Sequence, residues 1–121
     1  MATADSFHSA RVLFLREQDG VVERELKSRL VEIFRQFQTV KAAYLVRISY
    51  TEVPGISVAV ALVGGEEDAE SIVPTIGAAF GSFFHANEHM DILFLNPSQI
   101  EAVAKVAANF YTADPSPGYE I

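Results

Sequence analysis

Apolar residues recur along this chain with two periods, and the period names the element. Arg11-Val-Leu-Phe-Leu-Arg16 is a short apolar run with charged ends, the pattern of a buried strand. Gln18-Asp19-Gly20 is turn chemistry, with Asp19 placed to cap a helix. From Val22 to Phe37 the spacing changes to threes and fours: Leu26, Leu30, Ile33 (or Phe34) and Phe37 form one helical stripe. Glu23–Lys27 and Glu25–Arg29 stand four apart on its other faces, as favourable pairs do. Between Val40 and Tyr50 the period falls to two. Val40, Ala42, Tyr44, Val46, Ile48 and Tyr50 line one face of the predicted strand and Lys41, Ala43, Leu45, Arg47 and Ser49 the other. Thr51 to Gly55 is punctuated by Pro and Gly, and Ile56 to Val63 reads as a second strand, buried on both sides and paired with the first as a hairpin.

The second half repeats this alternation of elements. After Gly64-Gly65, the residues Ile72, Ile76, Ala79 (or Phe80) and Phe83 predict a helix, starting nearer Ser71 than Glu66 because Pro74 belongs in a first turn. Its small residues, Gly77, Ala78, Ala79, Gly81 and Ser82, suit close approach to a sheet. Met90 to Leu95 is another apolar strand. Asn96-Pro97-Ser98-Gln99 is a helix start with a cap, a first-position proline and a capping-box glutamine. The last helix is predicted from Pro97 to about Asn109, with Ile100, Val103 (or Ala104) and Ala107 inward. The order β-α-β-β-α-β is that of the split, ferredoxin-like unit. The expected fold is therefore α+β: a ferredoxin-like antiparallel sheet with an added C-terminal helix. One domain is expected over residues 11–111, between a flexible lead at 1–10 and a loose tail at 112–121.

Val40-Lys-Ala-Ala-Tyr-Leu45, with its long hairpin and the closing Asn109-Phe110-Tyr111, resembles the C-terminal domain of the SseB (enhanced serine sensitivity) family of bacterial proteins. The resemblance runs from about Val12 to Tyr111 and rests on structural motifs. It implies a bacterial cytoplasmic protein and brings no catalytic residue with it.

Charge narrows the functional classes. The chain of 121 residues carries a net charge of −7, unevenly spread. Residues 1–60 hold eight Lys or Arg against seven Asp or Glu; residues 61–121 hold one Lys against nine acids. Such a second half repels a phosphate backbone, so nucleic acid is not an expected partner. No run approaches the roughly 18 apolar residues of a membrane span, so no membrane association is expected. The first residues lack a basic segment before an apolar stretch, so a cytoplasmic setting is expected rather than export. There is no cysteine, which removes disulfides, thiolate metal sites and cysteine nucleophiles.

Candidate chemistry is sparse. His85 and His89, four apart, could share a metal with Asp91, although they fall where a helix should be ending. The alternative is a polar connection with His85 near a helix C-terminus. Tyr44 and Tyr50 share a strand face with Arg47 opposite, a possible binding group or ordinary sheet packing. Gly64-Gly65 before Glu66-Glu67-Asp68-Ala69-Glu70 lacks the lysine of a phosphate loop, and its acids repel phosphate. No Gly-x-Ser-x-Gly elbow is present. The expectation is a non-catalytic interaction or regulatory module, without a cofactor, that meets a protein partner or associates with itself, as a homodimer. The alternative is a small-ligand- or metal-binding domain, or a small enzyme, with a pocket near His85–Asp91.

Overall fold

The computed structural model describes residues 12–81 and 90–113, apart from the side chains of 53 and 54. The elements follow in the order β1 (Val12–Glu17), α1 (Val21–Phe34), β2 (Val40–Tyr50), β3 (Val53–Gly64), a 3-10 turn (Glu66–Asp68), α2 (Ala69–Gly81), β4 (Asp91–Phe94), α3 (Pro97–Ala104) and β5 (Tyr111–Thr112). The protein is α+β, with one five-stranded mixed sheet in the order β1-β2-β3-β4 and β5 added on β2.

This pairing differs from the expected antiparallel, ferredoxin-like sheet. Thr51 and Glu52 make a two-residue turn that forces β2 and β3 together as antiparallel neighbours. α2 then carries the chain back along the sheet, so β4 lies parallel to β3, Asp91 beside Ala59 and Phe94 beside Leu62. β1 pairs antiparallel with β2 and lies at the edge of the strand path. β5, Tyr111 and Thr112, lies against Ala43 and Ala42 on β2. Ala113 continues this pairing, donating its N–H to the Lys41 carbonyl at 2.9 Å, so the chain is held beyond the point where the tail was expected to begin. The lead at 1–10 and residues 114–121 lie outside the described residues.

The sheet is packed on both faces. Leu26, Leu30, Ile33 and Phe34 of α1 and Ile72, Ile76 and Ala79 of α2 bury themselves against Ala43, Leu45, Val60 and Leu62. The opposite face presents Tyr44, Val46, Ile48, Ala59 and Ala61, and Val103 of α3 packs on it. The added helix thus forms a third layer instead of joining the other two. A bulge between Val40 and Ala42 corrects the face assignment at the start of β2: Val40 belongs with α1 and α2, while Tyr44, Val46, Ile48 and Tyr50 face α3.

Local chemistry explains most boundaries. Asn96 accepts a bond from the Gln99 N–H at 2.9 Å, and Gln99 Oε1 accepts from the Asn96 N–H at 3.0 Å, so the expected capping box is formed. α3 stops at Ala104, earlier than expected, because the chain must turn back to deliver Phe110 and Tyr111 to β2. Asp19 does not cap α1: Gly20 stands at the cap, and Asp19 pairs with Arg24 and Lys27. Lys27 reaches Glu17 and Asp19 instead of Glu23. α2 begins at Ala69, before Ser71, and contains Pro74, because the 3-10 turn from Gly65 already winds the chain. Gly64 and Gly65 have φ of 79° and 94°, and a Cβ on Gly65 would stand 2.9 Å from Val40 Cγ2. Both glycines therefore serve the turn geometry.

Candidate functional site

The sequence-predicted site residues separate onto different faces. Tyr44 is buried on the α3 side of the sheet, a core residue. Tyr50 lies on the same side at the far end of β2, half-buried, and its hydroxyl reaches across β3 to donate to Asp91 Oδ2 at 2.7 Å. Burial pushes the Tyr50 phenol well above its ordinary value, and the hydrogen bond to Asp91 and the carboxylate's charge add to that. Asp91 thus has one oxygen committed to a phenol. His85 and His89 lie outside the described residues, and among the described residues no group of three acids or histidines gathers around a metal position.

Arg47 faces the other way, toward α1. Its Nε donates to Gln18 Oε1 at 2.6 Å, and Gln18 Nε2 donates in turn to Glu23 Oε2 at 2.9 Å. Gln18 is itself fixed by its backbone N–H, which bonds the Leu45 carbonyl at 3.0 Å. The guanidinium is therefore oriented by a neutral amide, one link away from the nearest carboxylate of that chain. Arg47 is the direct cross-strand partner of Arg16 on β1. Directly opposed residues project from the same sheet face, and like charges so placed repel. Among the described residues no carboxylate is paired with either arginine; the ion pairs belong to Arg24 and Lys27.

The surroundings of Arg16 follow from a bulge. The register of β1 slips between Phe14 and Arg16, so Leu15 and Arg16 together oppose β2 where one residue would stand. Val12, Phe14 and Glu17 are half-buried, and Val12 and Phe14 pack toward α3. Leu13, Leu15 and Arg16 are exposed, at 51% and 40% for the two leucines. Across the strand from Leu13 stands Ser49. Val21 and Val22, at the start of α1, are exposed as well. α1 and α2 cover β2 and β3 but leave this strip of β1 bare.

Sequence reasoning found Arg47 and missed Arg16, Gln18 and the two leucines. Val-Leu-Phe-Leu reads as a continuously buried run, and nothing in four apolar residues announces a bulge or an uncovered face. The cross-strand pairing that opposes two arginines is a property of register. No helix among the described residues is long and apolar enough to cross a membrane. Neither a protein-family model, a curated protein nor a solved structure matches the chain.

Proposed function

We propose that this chain is a non-catalytic protein-interaction module whose docking surface is the bare face of β1. The observation that carries the reading is the pair Leu13 and Leu15, exposed side by side on a strand whose other face is turned to the core. Apolar side chains grouped this way mark contact surfaces. The resemblance to the SseB C-terminal domain belongs to the same proposal, with a bacterial, cytoplasmic setting. Its motifs are neighbours in the fold, since Tyr111 pairs with Ala43 and the Phe110 N–H bonds the Ala43 carbonyl. They speak to architecture and leave the docking strip to define the role.

A photo-crosslinking residue at Leu13, compared with one at exposed Thr75 on α2, tests the surface without assuming a partner. A discrete adduct at 13, absent at 75, is the expected result. An adduct with a second copy would make the module a homodimer. Equal, diffuse labelling at both positions would sink the proposal.

The Tyr50–Asp91 bond supports a second reading, a small-ligand or metal site on the opposite face near Asp91. A melting-temperature rise with a metal or metabolite, reversed by EDTA in the metal case, would favour it. No shift across a broad panel would dismiss it.

A further inference from the structure

We infer that the partner of the bare β1 strip is an acidic, apolar segment of another protein, whose carboxylate is clamped between Arg16 and Arg47. This rests on the docking surface proposed above and gives its occupant a chemistry. Two arginines directly opposed on adjacent strands are an arrangement that folding alone disfavours. A carboxylate placed between them removes the repulsion and gains charge-assisted bonds.

The two arginines are prepared differently. Arg47 is already oriented through Nε by Gln18, and among the described residues its terminal nitrogens have no acceptor, which leaves them for a ligand. Arg16 is exposed and makes no side-chain bond among the described residues, so it can close on a ligand from the solvent side. Leu13 and Leu15 precede this charge along the same strand and are exposed, which calls for apolar side chains to one side of the carboxylate. The bulge fixes the mode of docking. It interrupts the ladder geometry along β1, so an added strand would meet a broken edge. It also turns Leu15 and Arg16 together toward the bare face, so the partner is held there by side chains. A nucleic acid would offer phosphates to the same pair, but the whole chain carries −7, and a polyanion meets that field along its length. A short segment with isolated acids meets the near field of Arg16 and Arg47, since Glu17 and Asp19 are paired with Lys27 and Arg24 and Glu23 accepts from Gln18.

The test is fluorescence anisotropy of the full chain with a labelled hexapeptide alternating glutamate and leucine. Parallel probes are a lysine–leucine peptide and a single-stranded DNA oligomer. Saturable binding of the acidic peptide is expected, weakened by salt, with the lysine peptide and DNA failing to bind. Arg16→Glu should weaken the acidic peptide by about tenfold or more, the value of one well-placed charge pair. Because Arg16 is exposed and a glutamate there would face Arg47 as an opposite charge, that variant should melt at or slightly above the parent, so a loss of binding is not a loss of fold. Arg47→Lys should weaken it less, keeping the charge and losing the fork. If Arg47→Lys fails to fold, Arg16→Glu decides alone. Absence of binding, an unchanged affinity in Arg16→Glu, or DNA bound as tightly as the peptide would each overturn the inference. A discrete Leu13 adduct with no acidic-peptide binding would leave the docking surface standing and remove only its acidic partner. Failure of both would remove the surface too.

Discussion

The two faces of the sheet are covered in inverse proportion to the helix laid on them. Two helices, of 14 and 13 residues, pack on one face, yet Leu13, Leu15 and Arg16 of β1 stay uncovered there. On the other face lies a helix of 8 residues, and Val12 and Phe14 of the same strand are drawn into its cluster. Side-chain size and placement account for the difference. Toward α3, β3 presents Ala59 and Ala61, so large groups from β1, β2 and β4 close over the centre of the sheet. Toward α1 and α2, β3 presents Val58, Val60 and Leu62 and β2 presents Leu45, and the two helices spend their apolar stripes on these central residues. Among the described residues α1 reaches the edge strand only through Lys27, at Glu17, and leaves Leu13, Leu15 and Arg16 uncovered. Helical cover does not itself seal a sheet.

The sharpest way to break this comparison is to truncate one residue from the sealed centre and one from the bare strip. Phe34 is fully buried and packs its ring against Phe110 and Tyr111, at centroid distances of 6.2 and 5.5 Å. Phe34→Ala should cost about 3–5 kcal/mol in denaturant unfolding. Leu15→Ser, on the same side of the sheet, should change stability by no more than about 0.5 kcal/mol. A cost for Leu15→Ser near that of Phe34→Ala would mean that the strip is part of the core.

The face sealed by α3 depends on local bonds to hold a short helix. Asn96→Ala removes the acceptor for the Gln99 N–H and breaks the capping box, so a loss of about 1 kcal/mol is expected in urea unfolding. Hydrogen exchange should rise first in Ile100 to Val103 if the effect is local.

Tyr50 ties the far end of that face. Its phenol is held above the ordinary value near 10, so the folded state keeps its proton where the unfolded chain loses it. The contribution is whole below pH 10 and is lost as the pH rises beyond it. Tyr50→Phe should cost roughly 1 kcal/mol at neutral pH, the worth of one hydrogen bond. It should also flatten the alkaline fall in stability, measured by unfolding from pH 8 to 11. An alkaline limb identical in parent and variant would show that Tyr50 does not carry it.

How much of this was legible beforehand depends on the kind of information each feature needs. The helical stripe Leu26, Leu30, Ile33, the alternation of β2 from Ala43 to Tyr50 and the capping box at Asn96 are local patterns, and each forms where its residues predict. Strand order is not local. The same alternation serves an antiparallel or a mixed sheet, so the parallel β3–β4 pair could not be read from apolar spacing. The bulges at Val40 and Leu15 lie deeper still, because each shifts a face without changing composition. Tyr44 and Tyr50 were placed on one face with Arg47 opposite, as the period of two requires. The juxtapositions that matter chemically, Arg16 with Arg47 and Tyr50 with Asp91, are consequences of register.

The small residues of α2 sharpen the same point at the lowest cost. The small size of Gly77 and Ala78 predicts close packing on the sheet, but both face solvent, and a Cβ on Gly77 would meet nothing within 4 Å. Ile72, Ile76 and Ala79 make the buried contacts instead. Gly77 therefore brings only the backbone freedom of glycine to a helix interior, where it disfavours the folded state. Gly77→Ala should raise stability by about 0.5–1 kcal/mol, read as a higher melting temperature with unchanged peptide binding. A destabilised variant would place that face of α2 against something, and the uncovered surface of the molecule would extend beyond β1.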